Sequence, residues 1–352
     1  MSALPLSFSY DLLSATLRKH PRRWLVTGGA GFIGSHLVEE LLNLRQSVVV
    51  LDNLSSGSWR NLDEVRTAVE VDAWASLEIR EGDIRDLDAC AAACKEADVV
   101  LHQAAIASVP ASIEDPHTTH DVNVTGTLNL LAAARDAGAK RFVYASSSAV
   151  YGTDPNPSKQ EDKVGYLLSP YAASKAICET YAQTFFQCYK LPTVGLRYFN
   201  VFGPRQDPAG PYAAVIPLWI EAALSQEPIF VNGDGGTTRD FVSVRNVVQA
   251  NLQAAMAPED SVAGEAFNIG SGEQIDLNEL IRHIGDILNE QFPGRSVPAT
   301  VYREPRVGDI RHSLADVSKA EGNLGFRPRV RFKDGLAETL AWYAGQSAAA
   351  QD

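Results

Sequence analysis

The chain has 352 residues, of which 45% are hydrophobic and 21% charged, so it is long enough to bury a substantial core. Its net charge of −12, with no cluster of lysine and arginine, argues against binding to nucleic acid or to an anionic membrane. No apolar run approaches the ~20 residues of a membrane-spanning helix, and residues 1–20 lack the apolar core of a signal peptide.

Residues 10–19 lie in an N-terminal extension, residues 1–20, and have the pattern of a short amphipathic helix packed on the surface. From Trp24 onward, short apolar runs alternate with helical patterns. The predicted strands are 24–27, 47–52, 77–83, 99–105 and 141–148. Four of these are rich in valine and isoleucine or nearly continuous in apolar residues, as strands of a buried parallel sheet are. The predicted helices between them include 32–44 and 123–138, and the alternation predicts an α/β fold with a doubly wound sheet.

Beyond Leu191 the alternation loosens, and proline and glycine cluster in residues 202–211. A later helix is predicted to begin at Asp276, because Glu279 follows it in the spacing of a capping box. We therefore expect two parts, a larger one over residues 21–191 and a smaller one over residues 192–345. The second is expected to be interleaved with the first, with segments near 229–257 returning to it.

A glycine-rich loop follows the first predicted strand, in the stretch "WLVTGGAGFIGSHL". Gly28, Gly31 and Gly34 permit a tight turn and the close approach of a pyrophosphate, and the helix that follows offers free N–H groups. Asp52 ends the second strand, where a carboxylate can bind both hydroxyls of an adenosine ribose. Residues 52–59 contain no basic side chain that could hold a 2′-phosphate. These features favour NAD over NADP.

Tyr171 and Lys175 stand one helical turn apart in "SPYAASKAICE". A free phenol is a poor base at neutral pH, but an ammonium group and a positive nicotinamide ring beside it would favour the phenolate. In a chain with a dinucleotide loop, this pair predicts a general base that works next to the cofactor.

The cysteines of the chain are Cys90, Cys94, Cys178 and Cys188. Cys90 and Cys94 lie one helical turn apart, and no cluster of histidine or cysteine completes a metal site. We expect reduced thiols in a cytoplasmic protein that holds no metal.

Several motifs occur together and in order along residues 20–345. They are TGxxGxxG at 27–34, Asp52, three serines at 146–148, YxxxK at 171–175, and the stretches 197–208, 232–241 and 306–316. In these motifs the chain resembles the extended short-chain dehydrogenase/reductase superfamily, and within it the UDP-hexose 4-epimerases. The N-terminal extension and "RHSLAD" are most similar to bacterial UDP-N-acetylglucosamine 4-epimerases.

The resemblance implies a Rossmann-type domain over residues 21–191 that binds NAD and a mainly substrate-binding domain over residues 192–345. The NAD-binding residues it implies, together with those derived above, are Gly28, Gly31, Phe32, Ile33, Gly34, Asp52, Asn53, Ser56, Gly57, Asp83, Ile84, Gln103, Ala104, Ala105, Tyr171, Lys175 and Tyr198. Lys175 would also hold the hydroxyls of the nicotinamide ribose.

The implied reaction is 4-epimerisation of a UDP-sugar through a 4-keto intermediate. Tyr171 removes the proton of the 4-hydroxyl while C4 passes hydride to NAD, the keto sugar turns over, and hydride returns to its other face. Ser147 would relay the proton, with Ser148 in reserve.

The implied substrate contacts lie mostly in the smaller domain. They are Asn200, Arg239 and Arg306 near the diphosphate, Asp309 near the uridine ribose, Ala214, Val215, Ile216 and Pro217 along the nucleotide, Phe230 and Val231 against the uracil, and Ser147 and Ser148 at the sugar. Arginine suits the diphosphate because its fork of N–H groups pairs with phosphate oxygens.

Ser313 is the residue from which we predict an acetamido sugar as the substrate. Relatives restricted to UDP-glucose and UDP-galactose have a bulky tyrosine at the matching position, and a serine leaves room for an N-acetyl group. The substrate pair expected is therefore UDP-GlcNAc and UDP-GalNAc. Ala107 and Ala111 depart from that subgroup, which tends to have glycine and arginine there.

Three other functions are compatible with parts of the pattern. Dehydratases and decarboxylases of nucleotide sugars carry a glutamate where this chain has Ala149, which argues against them. A UDP-glucose or UDP-glucuronate 4-epimerase would need only a different sugar pocket. A non-catalytic NAD-sensing protein could share the fold, although such proteins often lose the tyrosine or lysine of YxxxK. Relatives commonly form homodimers through helices corresponding to 123–138 and 171–189.

Overall fold

The computed structural model describes residues 9–208, 213–305 and 311–349. The strands are β1 (Arg23–Thr27), β2 (Ser47–Asp52), β3 (Leu77–Glu81), β4 (Val99–His102), β5 (Arg141–Ser147), β6 (Ser158–Lys159), β7 (Thr193–Tyr198), β8 (Asn200–Phe202), β9 (Ile229–Asn232), β10 (Thr238–Arg239), β11 (Phe241–Ser243), β12 (Glu265–Ile269), β13 (Ile275–Asp276), β14 (Thr300–Arg303) and β15 (Leu314–Ala315).

The helices alternate with these strands. They are α1 (Tyr10–Lys19), α2 (Phe32–Asn43), α3 (Trp59–Ala68), α4 (Val71–Trp74), α5 (Leu87–Cys94), α6 (Val109–Glu114), α7 (Pro116–His120), α8 (Gly126–Asp136), α9 (Pro170–Tyr189), α10 (Val215–Ser225), α11 (Val244–Met256), α12 (Glu259–Val262), α13 (Leu277–Gln291), α14 (Ser318–Leu324) and α15 (Phe332–Ala349). A π-helical turn spans Asp121–Thr125, and a 3₁₀ turn spans Ser148–Tyr151.

A seven-stranded parallel sheet organises the molecule, in the order β12-β7-β5-β4-β1-β2-β3. Helices flank it, and most strand residues in its middle are fully buried, as expected for a parallel sheet covered on both faces. The chain runs outward in opposite directions from the β1–β4 pair. This reversal opens a crevice at the carboxyl ends of the two strands, where such sheets bind ligands. The predicted fold class, an α/β protein with a Rossmann-type doubly wound sheet, is confirmed.

The five predicted strands form one continuous block of the sheet, β5 to β3. Three of them end earlier than predicted, at Glu81, His102 and Ser147. The residues that follow turn away from the sheet, and these same residues carry the candidate site described below.

The sheet extends beyond the predicted domain boundary at residue 191. Its last two strands, β7 and β12, come from residues 193–198 and 265–269, and pair with each other in parallel. Helix α11 contacts β5 and β7, whereas β9 pairs with β14 in the smaller part. The segments that return to the larger part are therefore β7, α11 and β12, and the prediction of 229–257 was wrong for β9. Apolar contacts between distant residues decide these pairings.

The smaller part is built from short paired strands and three helices. β8 pairs with β11, β9 with β14, and β10 with β13. Residues of α10, α13 and α15 pack with β9 and β11 into a separate apolar core. Asp276 caps α13 by accepting a hydrogen bond from the backbone N–H of Glu279 at 2.7 Å, as predicted.

Helix α1 forms where the sequence predicts it, but its apolar side belongs to the main core. Leu13 and Leu17 are buried in the same cluster as Trp24. Gln46 binds this helix to the sheet, because its amide donates to the carbonyl of Leu17 at 2.9 Å and accepts from the Trp24 indole at 3.1 Å.

Within the described ranges, the helices are all too short or too polar to cross a bilayer. The cysteines are free thiols. Burial raises the pKa of the Cys90 and Cys94 thiols to about 12, which keeps both protonated and unreactive.

Candidate active site

The glycine-rich loop joins β1 to α2 at the centre of the crevice. Gly28 has a φ of +68°, and a side chain there would place its Cβ 2.8 Å from the backbone nitrogen of Ala104. At Gly34 a Cβ would lie 2.0 Å from the carbonyl oxygen of Gly28. Gly31 is the N-cap of α2 and has no side chain to occupy the N–H groups of the first turn. The loop is therefore a compact backbone cradle that fits a pyrophosphate.

Asp52 faces this loop from the end of β2. Its carboxylate accepts hydrogen bonds from the backbone N–H groups of Ala30 and Leu54, each at 2.8 Å. The side chain is buried, and a Cβ at Gly57 would lie 3.0 Å from one of its oxygens. An ionised carboxylate with remaining acceptor capacity suits two ribose hydroxyls and would repel a 2′-phosphate.

Asp83 lies beyond Asp52, after β3. It accepts from the Asn53 amide at 2.8 Å and pairs with Arg85 at 2.7 Å. The hydrogen bonds from Arg85 hold the pKa of the Asp83 carboxyl well below its usual range. Arg85 therefore faces the cavity as a cation already paired with a carboxylate. The prediction of NAD from residues 52–59 took no account of this arginine.

A cavity of about 790 Å³ extends from these residues to Tyr171 and Lys175. All the predicted NAD-binding residues line it. Residues that sequence reasoning did not name also line it, among them Ser55, Arg85, Ile106, Ser146, Phe199, Val201 and Gln206. Nothing in the sequence marks these residues as ligand contacts, because most of them are small or apolar residues that follow the end of a strand.

Tyr171 and Lys175 lie on the first turns of α9, which begins after the N-cap Ser169. Both side chains are buried at the wall of the cavity. The ammonium of Lys175 donates to the carbonyl of Ala145 in β5 at 2.9 Å and lies 6.0 Å from the centroid of the Tyr171 ring. The lysine is thus held between the end of β5 and the phenol.

Ser147, the last residue of β5, lines the same cavity and accepts a hydrogen bond from the backbone N–H of Ala149 at 3.1 Å. Ser148 begins the 3₁₀ turn and is not among the lining residues. The structure therefore brings Ser147, Tyr171 and Lys175 together and leaves Ser148 outside.

Buried polar groups support the floor of the cavity. His102 lies between the hydroxyls of Thr27 and Thr127, at 2.7 and 2.9 Å, and burial lowers its pKa to about 3. The Asn251 amide donates to the Tyr198 hydroxyl at 2.8 Å and accepts from Gln103 at 3.1 Å. Sequence reasoning missed Asn251, because an asparagine in a helical pattern is typical of an exposed face.

A second cavity of about 270 Å³ adjoins the first, and Val201 lines both. Its lining includes the predicted substrate residues Asn200, Ala214, Val215, Ile216, Phe230 and Arg239. Pro217 and Val231 are buried behind this wall. Arg239 donates to the carbonyl of Thr238 at 2.9 Å.

Phe230, half-exposed at the second cavity, has a cation on its ring. The guanidinium carbon of Arg303 lies 3.4 Å from the ring centroid. The Trp219 indole donates to the carbonyl of Phe230 at 3.2 Å and lines the same cavity. Arg303 was not predicted as a site residue, because nothing in the sequence relates β14 to β9.

Ser313 is half-buried between two anchored neighbours. His312 forms a bridge with Thr238, and the backbone N–H of Leu314 donates to the carbonyl of Pro157 at 3.0 Å. Ser313 is not one of the described residues that line the two cavities. Arg306 and Asp309 lie outside the described residues.

Residues 24–270 match the NAD dependent epimerase/dehydratase family. The protein belongs to this family. It is 38% identical over 322 residues to a putative UDP-glucose 4-epimerase of Methanocaldococcus jannaschii, a match that covers 90% of this chain and 97% of the relative. The resemblance predicted from the motifs is confirmed.

Solved structures of the epimerase/dehydratase family superpose over nearly the whole chain. A UDP-N-acetylglucosamine 4-epimerase from Methanobrevibacter ruminantium, in complex with UDP-N-acetylmuramic acid, has 38% identity and a TM-score of 0.84, covering 93% of this chain and 99% of its own. A UDP-glucose 4-epimerase of Thermus thermophilus, in complex with NAD, has 37% identity and a TM-score of 0.79, covering 92% and 99%.

NAD is the cofactor of the family, as predicted. The residues of this chain fit it. The loop at Gly28 and Gly34 has no space for side chains, as a site for a close pyrophosphate requires, and Asp52 has the chemistry of a ribose partner.

Proposed function

We propose that the protein interconverts the C4 epimers of a UDP-hexose, with UDP-GlcNAc and UDP-GalNAc as the preferred pair. The observation that supports this most strongly is the convergence of Ser147, Tyr171 and Lys175 on the cavity that also contains the glycine-rich loop and Asp52. A second cavity with an arginine and an asparagine adjoins it and could hold the rest of a nucleotide sugar.

In the proposed reaction, the protein's own side chains transfer the proton of the sugar's 4-hydroxyl. Tyr171 accepts this proton, and the ammonium of Lys175, fixed by the carbonyl of Ala145, stabilises the phenolate. Ser147 forms a hydrogen bond to the 4-hydroxyl of the sugar and relays its proton to the phenol of Tyr171. NAD bound in this cavity would supply the hydride chemistry at C4. Burial of Tyr171 and Lys175 keeps water away while the sugar is a ketone.

Among the described residues that line the cavity, none beside Tyr171 carries a carboxylate, which favours epimerisation over dehydration or decarboxylation. Among the described residues that line the two cavities, the only carboxylates are Asp52 and Asp83. Asp52 ends β2 and Asp83 follows β3, at the part of the cavity assigned to adenosine. Ala149 occupies the position where dehydratases and decarboxylases carry their glutamate, and an alanine side chain cannot protonate a leaving hydroxyl.

The UDP group is held by the smaller part of the protein in this proposal. Asn200 and Arg239 bind the diphosphate, Phe230 stacks on the uracil, and Arg306 and Asp309 contribute from the segment outside the described residues. A firm grip on UDP lets the sugar turn over between the two hydride transfers. The division into NAD-binding residues 21–191 and mainly substrate-binding residues 192–345 is part of the same proposal.

The acetamido sugar is assigned from Ser313, whose short side chain leaves space for an N-acetyl group. UDP-glucose is the second candidate, supported by the identity to the Methanocaldococcus jannaschii relative and by the position of Ser313 outside the described cavity walls. UDP-glucuronate is the third, since it would need only another sugar pocket.

A homodimer in the cytoplasm completes the proposal. Helix α9 exposes Ile177 and Tyr181, one turn apart, and α6 exposes Ile113. Exposed apolar side chains at such spacing are typical of a helix face that packs on a partner. Light scattering at two protein concentrations tests this, and a monomer at both would contradict it.

The activity is tested by incubating the purified protein separately with UDP-GlcNAc, UDP-glucose and UDP-glucuronate and following each 4-epimer by NMR. We expect UDP-GalNAc to form at least as efficiently as UDP-galactose. Binding of NAD with no conversion of any substrate would instead support the NAD-sensing alternative. Fastest conversion of UDP-glucuronate or UDP-glucose would move the assignment to that sugar.

A further inference from the structure

A series of buried hydrogen bonds begins beside the catalytic serine. Ser146 precedes Ser147, lines the NAD cavity, and donates its hydroxyl to Glu179 at 2.5 Å. Glu179 lies on α9, one turn beyond Lys175. Arg197 of β7 binds both oxygens of this carboxylate, at 2.9 and 2.8 Å. The carboxylate is therefore neutralised by a paired guanidinium while it fixes the end of β5 to the catalytic helix.

The series continues away from the cavity through Tyr151. Arg197 donates to the Tyr151 hydroxyl at 3.1 Å, and this hydroxyl donates to the side-chain oxygen of Asn268. Tyr151 and Asn268 are almost completely buried. Burial holds the hydroxyl as a neutral group, because it raises the pKa of Tyr151 well above its ordinary value.

Asn268 connects the series to a pair of two-residue strands. Its amide donates to the carbonyls of Lys159 at 2.8 Å and Asp316 at 3.1 Å. Lys159 belongs to β6, and Asp316 follows β15, which pairs with β6 in parallel. One asparagine therefore binds both sides of this pair, and Ser313 is the residue immediately before β15.

The β6–β15 pair needs such an anchor. Each strand has two residues, and an isolated two-stranded ribbon is marginally stable in water. The backbone bonds from Leu314 to Pro157 and from Asp316 to Lys159 join the two strands, but only contacts from outside fix where the pair lies. Asn268 belongs to β12 of the main sheet and is such a contact.

We propose that Tyr151 and Asn268 are positioning residues that hold Ser313 and the β6–β15 pair at a fixed place relative to the catalytic helix. The fit of the sugar at C2 then depends on a hydrogen bond formed far from the sugar. The effect of these two residues on sugar binding rests on the proposed function. Their effect on the β6–β15 pair rests on the hydrogen bonds alone.

The test removes one oxygen atom. Tyr151→Phe separates Arg197 from Asn268 and leaves the bonds of Ser146, Glu179 and Arg197 in place. The matched control is Tyr144→Phe, which removes a buried phenol oxygen that packs against Gly195 of β7 instead. Both variants are compared with wild type for retained NAD, for KM and kcat on UDP-GlcNAc, and for hydrogen exchange at the amides of Leu314 and Asp316.

We expect Tyr151→Phe to raise KM for UDP-GlcNAc about threefold to tenfold, the effect of about one net hydrogen bond, with kcat and NAD content close to wild type. The amides of Leu314 and Asp316 should exchange faster in this variant and at wild-type rates in Tyr144→Phe. Wild-type exchange in Tyr151→Phe would overturn the positioning role.

The two proposals fail in different ways. An unchanged KM together with faster exchange would overturn the link to the sugar and keep only the structural anchor. If wild type converts no UDP-hexose, the proposed function falls, and the exchange rates still decide whether Tyr151 and Asn268 hold the strand pair.

Discussion

The ammonium of Lys175 lies 6.0 Å from the centroid of the Tyr171 ring and is tied to the carbonyl of Ala145 at 2.9 Å. The helix that carries both residues and the strand that ends at Ser147 are thus joined by the lysine itself. This anchor places the ammonium group beside the phenol, as the proposed role of Tyr171 as a base requires.

Asp52 should decide the choice of cofactor. Its carboxylate is fixed by two backbone N–H groups, so a 2′-phosphate would meet an immobile negative charge. We expect cofactor-free protein to bind NAD at least about tenfold more tightly than NADP, and Asp52→Asn to narrow this preference, because like charges at ~4 Å repel by ~1–4 kcal/mol near a protein surface. Calorimetry with both cofactors measures this. Tighter binding of NADP by wild type would contradict it.

Arg303 should contribute to nucleotide affinity through Phe230. The guanidinium stacks on one face of the ring, which favours a fixed ring orientation beside the second cavity. Arg303→Leu should weaken UDP binding about threefold, since exposed cation–π contacts contribute ~0.5–1 kcal/mol. The change in Trp219 fluorescence on adding UDP reports binding, because this indole binds the carbonyl of Phe230.

Arg327→Leu is the control for the Arg303 experiment, since Arg327 pairs with Glu321 on an exposed surface. It should bind UDP as wild type does. Equal affinity of Arg303→Leu and wild type would show that the stack does not contribute to the nucleotide site.

His36 and His102 should make the protein sensitive to acid. Burial lowers the pKa of each to about 3, below the ordinary 6.5, so both stay neutral in the folded state while the unfolded chain takes up protons. Their stabilising contribution is complete above pH 6.5 and is lost as the pH falls toward 3. The free energy of unfolding should therefore drop by up to ~1.4 kcal/mol per pH unit for each histidine.

Urea unfolding at several pH values between 4.5 and 7 measures this slope. His102→Asn keeps a polar side chain between Thr27 and Thr127 but cannot titrate, and it should have a shallower slope than wild type. A wild-type unfolding free energy that stays constant from pH 7 to pH 4.5 would contradict the prediction.

Ser313→Tyr tests the sugar. If the serine leaves space for the N-acetyl group, a tyrosine should abolish conversion of UDP-GlcNAc and spare UDP-glucose, since overpacking a closed pocket costs ~1–3 kcal/mol. Ser318→Tyr, on the exposed first turn of α14, is the control for a tyrosine added nearby in the sequence. Full activity of Ser313→Tyr on UDP-GlcNAc would remove the main support for an acetamido substrate.

Local patterns were enough to predict β1 to β5 of the main sheet and the glycine-rich loop after β1. Apolar runs of β1, β2 and β4 and the glycines after β1 are short-range signals, because the strand, the tight turn and the helix start follow one another in the chain. The spacing of Tyr171 and Lys175 is a signal of the same kind, since one helical turn separates them.

Features that depend on distant contacts could not be predicted. Helix α11 is buried on nearly all sides, and its amides at Asn246 and Gln249 bind backbone groups of residues 327–330. In sequence these residues are typical of an exposed helix face. The place of β12 beside β7 and the stack of Arg303 on Phe230 are decided by the tertiary fold in the same way.

In the proposed reaction, Tyr171 takes the proton from the 4-hydroxyl while hydride leaves and returns at C4. The most direct measurement follows UDP-GlcNAc labelled with deuterium at C4, in ordinary water, with wild type and Tyr171→Phe. Wild type should form UDP-GalNAc with the deuterium still at C4. Tyr171→Phe should retain NAD and lose at least about a hundredfold in turnover, with Tyr181→Phe of the same helix as control. Loss of the deuterium to water would contradict hydride transfer at C4, and near wild-type turnover by Tyr171→Phe would contradict the role of Tyr171 as the base.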